Sequence, residues 1–500
     1  MAQEITLSAE QQDIVDSKKD TIVVSNPGTG KTTTLSFKVL ELLEDKVNPE
    51  DILCITFTEK AKKEMFDAIY EKAQEKFSDA DIMKINIHTF HSFAYNYLLD
   101  AGLISGDIVG NNLMRFSILN SFEKNQALNY GKDYIINTIV PKTENSIRYI
   151  KSFGITPDKI DIKKATSTLE EIFDAKSSRY SLEELKSFLK YFIDAYKEYE
   201  KSKQEAIDYS DMLLMFKEKF KGDKFQHVLV DEMQDMNEIE ADIATMVAKN
   251  LFLVGDAKQA IFGFQGGSVK NFQKFMKTCD KKMLSTNRRS SQQILDYSKQ
   301  HFLKGTSSRE DYEKELSVFK GLKTGEIPKV FSTSAHLSKI LEVIGENPEK
   351  SIGIITRTNT QIIKISKFLD SNSIEYKSTA SQASTEQAKN EIQSFIRGLL
   401  SEKIEDKISA TFTIFAPYSL KEAFEFSRAF KKKEFEKLSK IKSWGLKLQR
   451  EDLDQMFTDL ILPMCISKGA EWFSAAITAK QEIDEYLTFE TPTLDGLFDF

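Results

Sequence analysis

Eight residues, Ser25-Asn26-Pro27-Gly28-Thr29-Gly30-Lys31-Thr32, stand between a β-branched run and a helical stretch, and they constrain this chain more than any other feature. Thr21–Ser25 reads as a buried strand, and residues 32–43 as the helix that follows it. The two glycines let backbone N–H groups turn toward phosphate oxygens, and the start of the helix adds the positive end of its dipole. In such a loop Lys31 reaches β- and γ-phosphates, and the Thr32 hydroxyl is a ligand for Mg2+. Residues 25 to 32 are therefore expected to cradle the phosphates of a nucleoside triphosphate, with Ser25 standing where the general pattern has a glycine.

A site of this kind needs a second half, an apolar strand that ends in acid. His227-Val228-Leu229-Val230 runs into Asp231-Glu232-Met233-Gln234-Asp235. Asp231 at the strand end is expected to hold Mg2+ through water, and Glu232 to orient or deprotonate an attacking water. Further strand-like runs at 52–57 and 251–254, interleaved with helical stretches, argue for a parallel α/β sheet with its chemistry at the carboxyl ends of the strands.

The rest of the 500 residues sets limits. Apolar residues make up 41% and charged residues 29%, enough to bury a sizeable core. No window approaches the length of a membrane span, and Met-Ala-Gln-Glu-Ile-Thr at the start has no secretory character, so no membrane role and a cytoplasmic location are expected. Cys54, Cys279 and Cys465 are far apart and the five histidines are scattered, which speaks against disulfides and Cys- or His-built metal sites. Residues 101–203 read as a helical insertion in the first α/β domain. A second α/β unit is expected from about residue 282, with 351–356 as its clearest strand, and residues 384–449 read as helical. Residues 401–450 hold 12 Lys/Arg against 7 Asp/Glu, and the last fifty hold 2 against 11, a pattern expected of solvated surface.

The order of the blocks resembles the UvrD/Rep family of superfamily-1 DNA helicases across roughly residues 4–375. Leu7-Ser8-Ala9-Glu10-Gln11 is similar to the family's adenine-reading segment. Thr56-Phe57-Thr58-Glu59-Lys60-Ala61, His88-Thr89-Phe90-His91-Ser92-Phe93 and Asp208-Tyr209-Ser210-Asp211-Met212-Leu213 resemble later blocks. So do Val254-Gly255-Asp256-Ala257-Lys258-Gln259-Ala260-Ile261-Phe262, Asn287-Arg288-Arg289-Ser290 and Ile354-Ile355-Thr356-Arg357-Thr358-Asn359. The resemblance implies a P-loop NTPase of two RecA-like parallel-sheet domains with helical insertions. Its layout is 1–100 with 204–281 for the first ATPase domain and 101–203 for its insertion. A reduced second domain takes 282–383 with 450–490, its insertion 384–449, and 491–500 forms a tail. Gln11 is then the purine ligand, Gln259 senses the γ-phosphate, and Arg289 acts as an arginine finger from the second domain. Arg288 replaces the tyrosine that stacks on adenine, and a guanidinium can also stack.

Single-stranded DNA is held by aromatic faces and polar groups, and Phe57, Phe90, Phe262 and Phe264 stand in the blocks that would rim such a track, with Thr89 and His91 on its backbone or sugar. The C-terminal motifs depart from the family. Ser467-Lys468-Gly469-Ala470-Glu471-Trp472 resembles one, but no arginine follows Arg450, so the second arginine finger is missing from this chain. The resemblance thus implies an ATP-dependent helicase or translocase on single-stranded or forked DNA, with 3′→5′ polarity, in repair or recombination and associated with the nucleoid. The alternative is an ATP-gated DNA-binding subunit that unwinds weakly or not at all and needs a second helicase or nuclease subunit. Finally, Thr491-x-x-Leu494-x-x-Leu497-Phe498 is similar to a sliding-clamp-binding peptide, against self-docking or a free tail.

Overall fold

The computed structural model describes residues 7–105, 108–109, 111–127, 129–174, 178, 180–204, 206–260, 269–306, 309–378, 383–445 and 450–487. These fall into two compact units, one of residues 1–118 and 142–330, the other of residues 119–141 and 331–500.

The first unit is built on six parallel strands: β1 (Thr21–Ser25), β2 (Ile52–Thr56), β3 (Asn86–Thr89), β4 (Phe225–Val230), β5 (Ala248–Gly255) and β6 (Asp280–Leu284). Their order is β3-β2-β4-β5-β1-β6, with Val23 opposite Val254 and Ile55 opposite Val230. Side chains alternate between faces, so near-continuous apolar strands feed two cores. Ile22, Val24, Leu53, Ile55, Val228 and Leu253 pack with Phe90, Phe93, Met212 and Phe216 on one face. Val23, Cys54, Leu229 and Val254 pack with Leu35, Val39, Met65 and Ile69 on the other. This is the parallel α/β sheet expected of the first domain, and all six strands bring their carboxyl ends to one edge.

Caps fix where the helices start. Thr58 accepts from the Ala61 N–H at 3.0 Å ahead of helix Glu59–Ala73, and Asp208 and Asp211 cap helix Tyr209–Lys219 reciprocally. The stretch read as an insertion is helical, with Asn111–Lys124, Val140–Lys151, Ile162–Ile172 and Leu182–Lys203.

Beyond β6 the expectation and the structure part. The chain enters β7 (Thr286–Ser291), which pairs in parallel with β8 (Lys320–Lys323), and both lie in the first compact unit, which runs to Val330 rather than ending at 281. Among the described residues of the second unit no strand forms, and residues 351–356 are irregular. Hydrophobic periodicity marks residues fit to be buried, but a strand exists only where a neighbour accepts its ladder of hydrogen bonds. The second unit is instead helical, with Ile408, Phe426, Ala429, Leu438 and Ile441 forming a small core against Tyr418 and Trp444. Lys132 ties its parts together, donating to the carbonyls of Thr411 and Tyr418 at 2.8 Å.

Candidate nucleotide site and nucleic-acid face

The phosphate loop leaves β1 at Ser25, whose hydroxyl donates to the Gly255 carbonyl at 3.2 Å and so fastens it to β5. Gly28 and Gly30 sit at φ +86° and +92°, in the left-handed region that side chains disfavour. A Cβ on Gly28 would lie 2.5 Å from the Cβ of Arg289, and one on Gly30 would lie 3.2 Å from Nε2 of Gln11. Helix Lys31–Glu44 starts without a side-chain cap, so its first N–H groups keep their affinity for an anion. Asn26 is buried, and its Oδ1 finds no hydrogen-bond partner among the described residues. The Lys31 ammonium pairs with Oε2 of Glu232 at 2.7 Å.

Asp231 follows β4 and is almost fully buried. Burial, then the charge of Glu232, pushes its carboxyl up to about 6, and the Thr32 hydroxyl hydrogen-bonds to it. Asp235 is also pushed up to about 6 by burial and by Glu232, and its Oδ1 is buried without a partner among the described residues. One hydroxyl and buried carboxylates are a hard-oxygen donor set, which fits a divalent cation such as Mg2+. Glu232 itself holds a left-handed backbone at φ 50°, a strained position for a residue with a side chain.

Gln234, a residue that sequence reasoning passed over, joins the two acidic loops. Its Nε2 donates to Glu232 at 2.9 Å while its Oε1 accepts from the Asp256 N–H at 2.9 Å. Its position inside the acidic run was the available signal. Asp256 in turn accepts from Nε2 of Gln259 at 3.0 Å and pairs with Lys258 at 2.7 Å, and Lys258 also meets Glu315 at 2.6 Å.

On the other side of the loop, Ser8 and Gln11 form a capping box at the start of helix Ala9–Val15, and Gln11 is buried. Nε2 of Gln11 donates to the Thr34 hydroxyl at 3.2 Å. Asn287, fully buried, donates to the Pro27 carbonyl at 2.6 Å and accepts from the N–H groups of Arg289 and Ser290. The Arg288 N–H donates to the Gly28 carbonyl at 2.8 Å, and its guanidinium reaches the Thr29 carbonyl at 3.1 Å and Oε1 of Gln11 at 3.0 Å. Arg288 therefore lies in hydrogen-bonding contact with Gln11 rather than laid out as a free stacking plate. Arg289 is exposed beside Gly28 and belongs to the same compact unit as the loop, not to a second domain.

The residues read as a nucleic-acid track divide. Phe90 is a core residue, 2% exposed, and Phe57 is half-buried with its ring edge-on to Phe90 at 5.9 Å. Thr89 caps helix Phe90–Asp100 through Ser92. His91 is half-buried, and burial lowers its pKa, which favours the neutral ring. It meets Tyr209 edge-on at 5.9 Å, and Tyr209 is 60% exposed. Tyr209 was missed in the sequence, where its one signal is an aromatic placed directly after a capping aspartate. Phe262, Phe264 and the tail 491–500 lie outside the described residues. Lys468 pairs with Asp133 and stands over the Trp472 ring at 5.1 Å, while nothing is described for the side chain of Glu471.

A parallel sheet that gathers a glycine loop, its lysine and an acidic pair at one edge defines a P-loop nucleotide-binding protein of the RecA-like kind. The chain belongs to the UvrD/REP helicase family, whose N-terminal domain matches residues 7–280. It is 28% identical over 396 residues to a probable DNA helicase II homolog of Mycoplasma pneumoniae, covering 73% of this chain and 52% of that protein. It is 30% identical over 334 residues to the corresponding protein of Mycoplasma genitalium, covering 63% and 44%. Against the ATP-dependent DNA helicase PcrA of Staphylococcus aureus it is 26% identical over 310 residues, covering 58% and 39%. The chain thus spans about half the length of the curated relatives it matches. No helix among the described residues is long and apolar enough to cross a membrane.

Proposed function

We propose that this chain is a DNA-dependent ATPase that moves along single-stranded DNA in the 3′→5′ direction, acting in repair or recombination. The observation that carries the reading is the convergence of Lys31, Thr32, Asp231 and Glu232 at one edge of the sheet. Lys31 exchanges its 2.7 Å contact with Glu232 for the phosphates of an incoming nucleotide, which releases the Glu232 carboxylate to orient the attacking water. Thr32 and Asp231 would hold Mg2+, which neutralises charge on the phosphoryl oxygens. Gln259, held by Asp256, registers the γ-phosphate, and Arg289 beside Gly28 supplies positive charge to the transferring group. Tyr209 and Phe57, with His91 and Thr89, offer an aromatic and polar surface suited to unstacked bases.

The test is hydrolysis of ATP by the purified chain with and without single-stranded DNA, followed by unwinding of a forked duplex. Stimulation by DNA supports the reading, and an equal rate without DNA removes it. A second reading takes up how much of the motor this chain holds, since it spans about half the length of the curated relatives it matches. On this reading the chain is an ATP-gated DNA-binding subunit completed by a partner, and DNA-stimulated hydrolysis without unwinding favours it.

A further inference from the structure

Three consecutive carbonyls of the phosphate loop are held by one strand. Nδ2 of Asn287 donates to the Pro27 carbonyl at 2.6 Å, the Arg288 N–H to the Gly28 carbonyl at 2.8 Å, and Nη1 of Arg288 to the Thr29 carbonyl at 3.1 Å. All three donors stand on β7, and 260 positions separate Asn287 from Pro27.

A trans peptide is planar and points its N–H opposite to its C=O. The loop's peptides are trans, so carbonyls drawn toward β7 turn the N–H groups of Gly28, Thr29 and Gly30 to the other side. Thr29 uses its N–H within the turn, on the Asn26 carbonyl at 3.3 Å, while those of Gly28 and Gly30 find no partner among the described residues. Successive N–H groups facing one way form a concavity for an anion, and the uncapped start of helix Lys31–Glu44 continues it.

Asn287 suits this task because its amide serves two sides at once and is fully buried. Its Oδ1 accepts from the Arg289 N–H at 3.0 Å and the Ser290 N–H at 2.8 Å, which assigns the oxygen to that side and the NH2 to Pro27. A Cβ on Gly28 would stand 2.9 Å from that oxygen, so loop and strand touch with no space between them. A rotated Pro27–Gly28 peptide would strand the buried Asn287 donor and aim a carbonyl where the N–H now faces. Resting its case on the nucleotide-hydrolysis reading above, the geometry points to Asn287 as a positioning residue. It holds the phosphate loop with its N–H groups toward the nucleotide phosphates before the nucleotide arrives.

The test uses inorganic tripolyphosphate with Mg2+, a ligand without base or sugar, titrated calorimetrically into the full chain well below its denaturation midpoint. Asn287→Ala should weaken its binding about ten-fold, the scale of one lost hydrogen bond. KM for ATP should rise by a similar factor, because only a fraction of loops then stand ready. Asn287 also touches the Arg289 backbone, so the titration is repeated in an Arg289→Ala background, where the weakening should persist. Weakening that vanishes there, or a fall in kcat with KM and tripolyphosphate affinity unchanged, means that Asn287 acts through Arg289 alone and overturns the proposal. A merely structural role lowers the denaturation midpoint and leaves the affinity of the folded chain as it was, which overturns it too. Should Asn287→Ala fail to fold, Asn287→Ser, whose hydroxyl is too short to serve both sides, carries the same expectation. A wild-type chain that binds neither ATP nor tripolyphosphate removes the nucleotide-hydrolysis reading as well, whereas unchanged affinity in the variants removes only this proposal.

Discussion

Lys31 and Glu232 hold each other at 2.7 Å, so replacing one has a consequence that replacing the other lacks. Lys31→Ala removes the cation for the phosphates and should abolish both tight triphosphate binding and hydrolysis. Glu232→Gln keeps the lysine and should retain ATP binding while hydrolysis falls by two or more orders of magnitude, about the scale of general-base catalysis. Measured by nucleotide titration beside steady-state turnover, a wild-type rate for Glu232→Gln with DNA present would remove this carboxylate as the base. Gly28 gives a second test at this scale. A side chain there adopts φ +86° and meets Arg289, so Gly28→Ala should weaken triphosphate binding about 5- to 30-fold for a penalty of about 1–2 kcal/mol. Unchanged affinity would mean the loop relaxes freely. These residues were readable because strand, glycine turn, lysine and helix are contiguous. The contact of Arg288 with Gln11 was not, since 277 positions separate them and no local pattern encodes it.

Elements are joined by groups whose ionisation the fold shifts. Lys151, 2% exposed on helix Val140–Lys151, meets Asp208 and Asp211 at 2.6 Å and Glu200 at 2.9 Å, with Tyr199 donating to Asp208 at 2.8 Å. These carboxylates have a cluster geometry that could hold a metal, yet Lys151 and Lys203 already bring the cations among them. Lys151→Ala strands buried carboxylates and should destabilise the first unit by about 3–5 kcal/mol, read as a lowered denaturation midpoint. A midpoint within error of wild type would show the network is solvated. On helix Glu238–Val247, Glu240 is buried beside its capping partner Asn237, and burial pushes its carboxyl up to about 7 from 4.5. The folded form thus keeps its proton after the unfolded form has lost it. Stability from this group is full below pH 4.5 and declines as pH rises toward 7, by roughly 1–3 kcal/mol. Glu240→Gln should flatten that part of the stability–pH curve, and urea midpoints between pH 5 and 8 check it.

For the whole molecule, the first sheet was legible in the sequence, whereas the strand expected at 351–356 does not form. Each of β1, β2, β4 and β5 is an apolar run with partners supplied by other segments of the same unit. Residues 351–356 have the same β-branched character and no strand partner among the described residues, leaving Ile352 and Ile354 38% exposed and Ile355 97% exposed. Periodicity reports which side chains seek burial, and it is silent on whether a neighbouring strand arrives. An extended apolar segment with unpaired backbone is a template for pairing between molecules. The expected outcome is concentration-dependent self-association of this chain, visible as rising light scattering. Ile355→Lys places a charge on the exposed edge and should lower it, because a buried lysine at a strand–strand contact costs more than the contact returns. Hydrolysis per chain should not change, since Lys31, Asp231, Glu232 and Arg289 all belong to the first unit. Equal scattering from both proteins would show that association, where it occurs, runs through another surface.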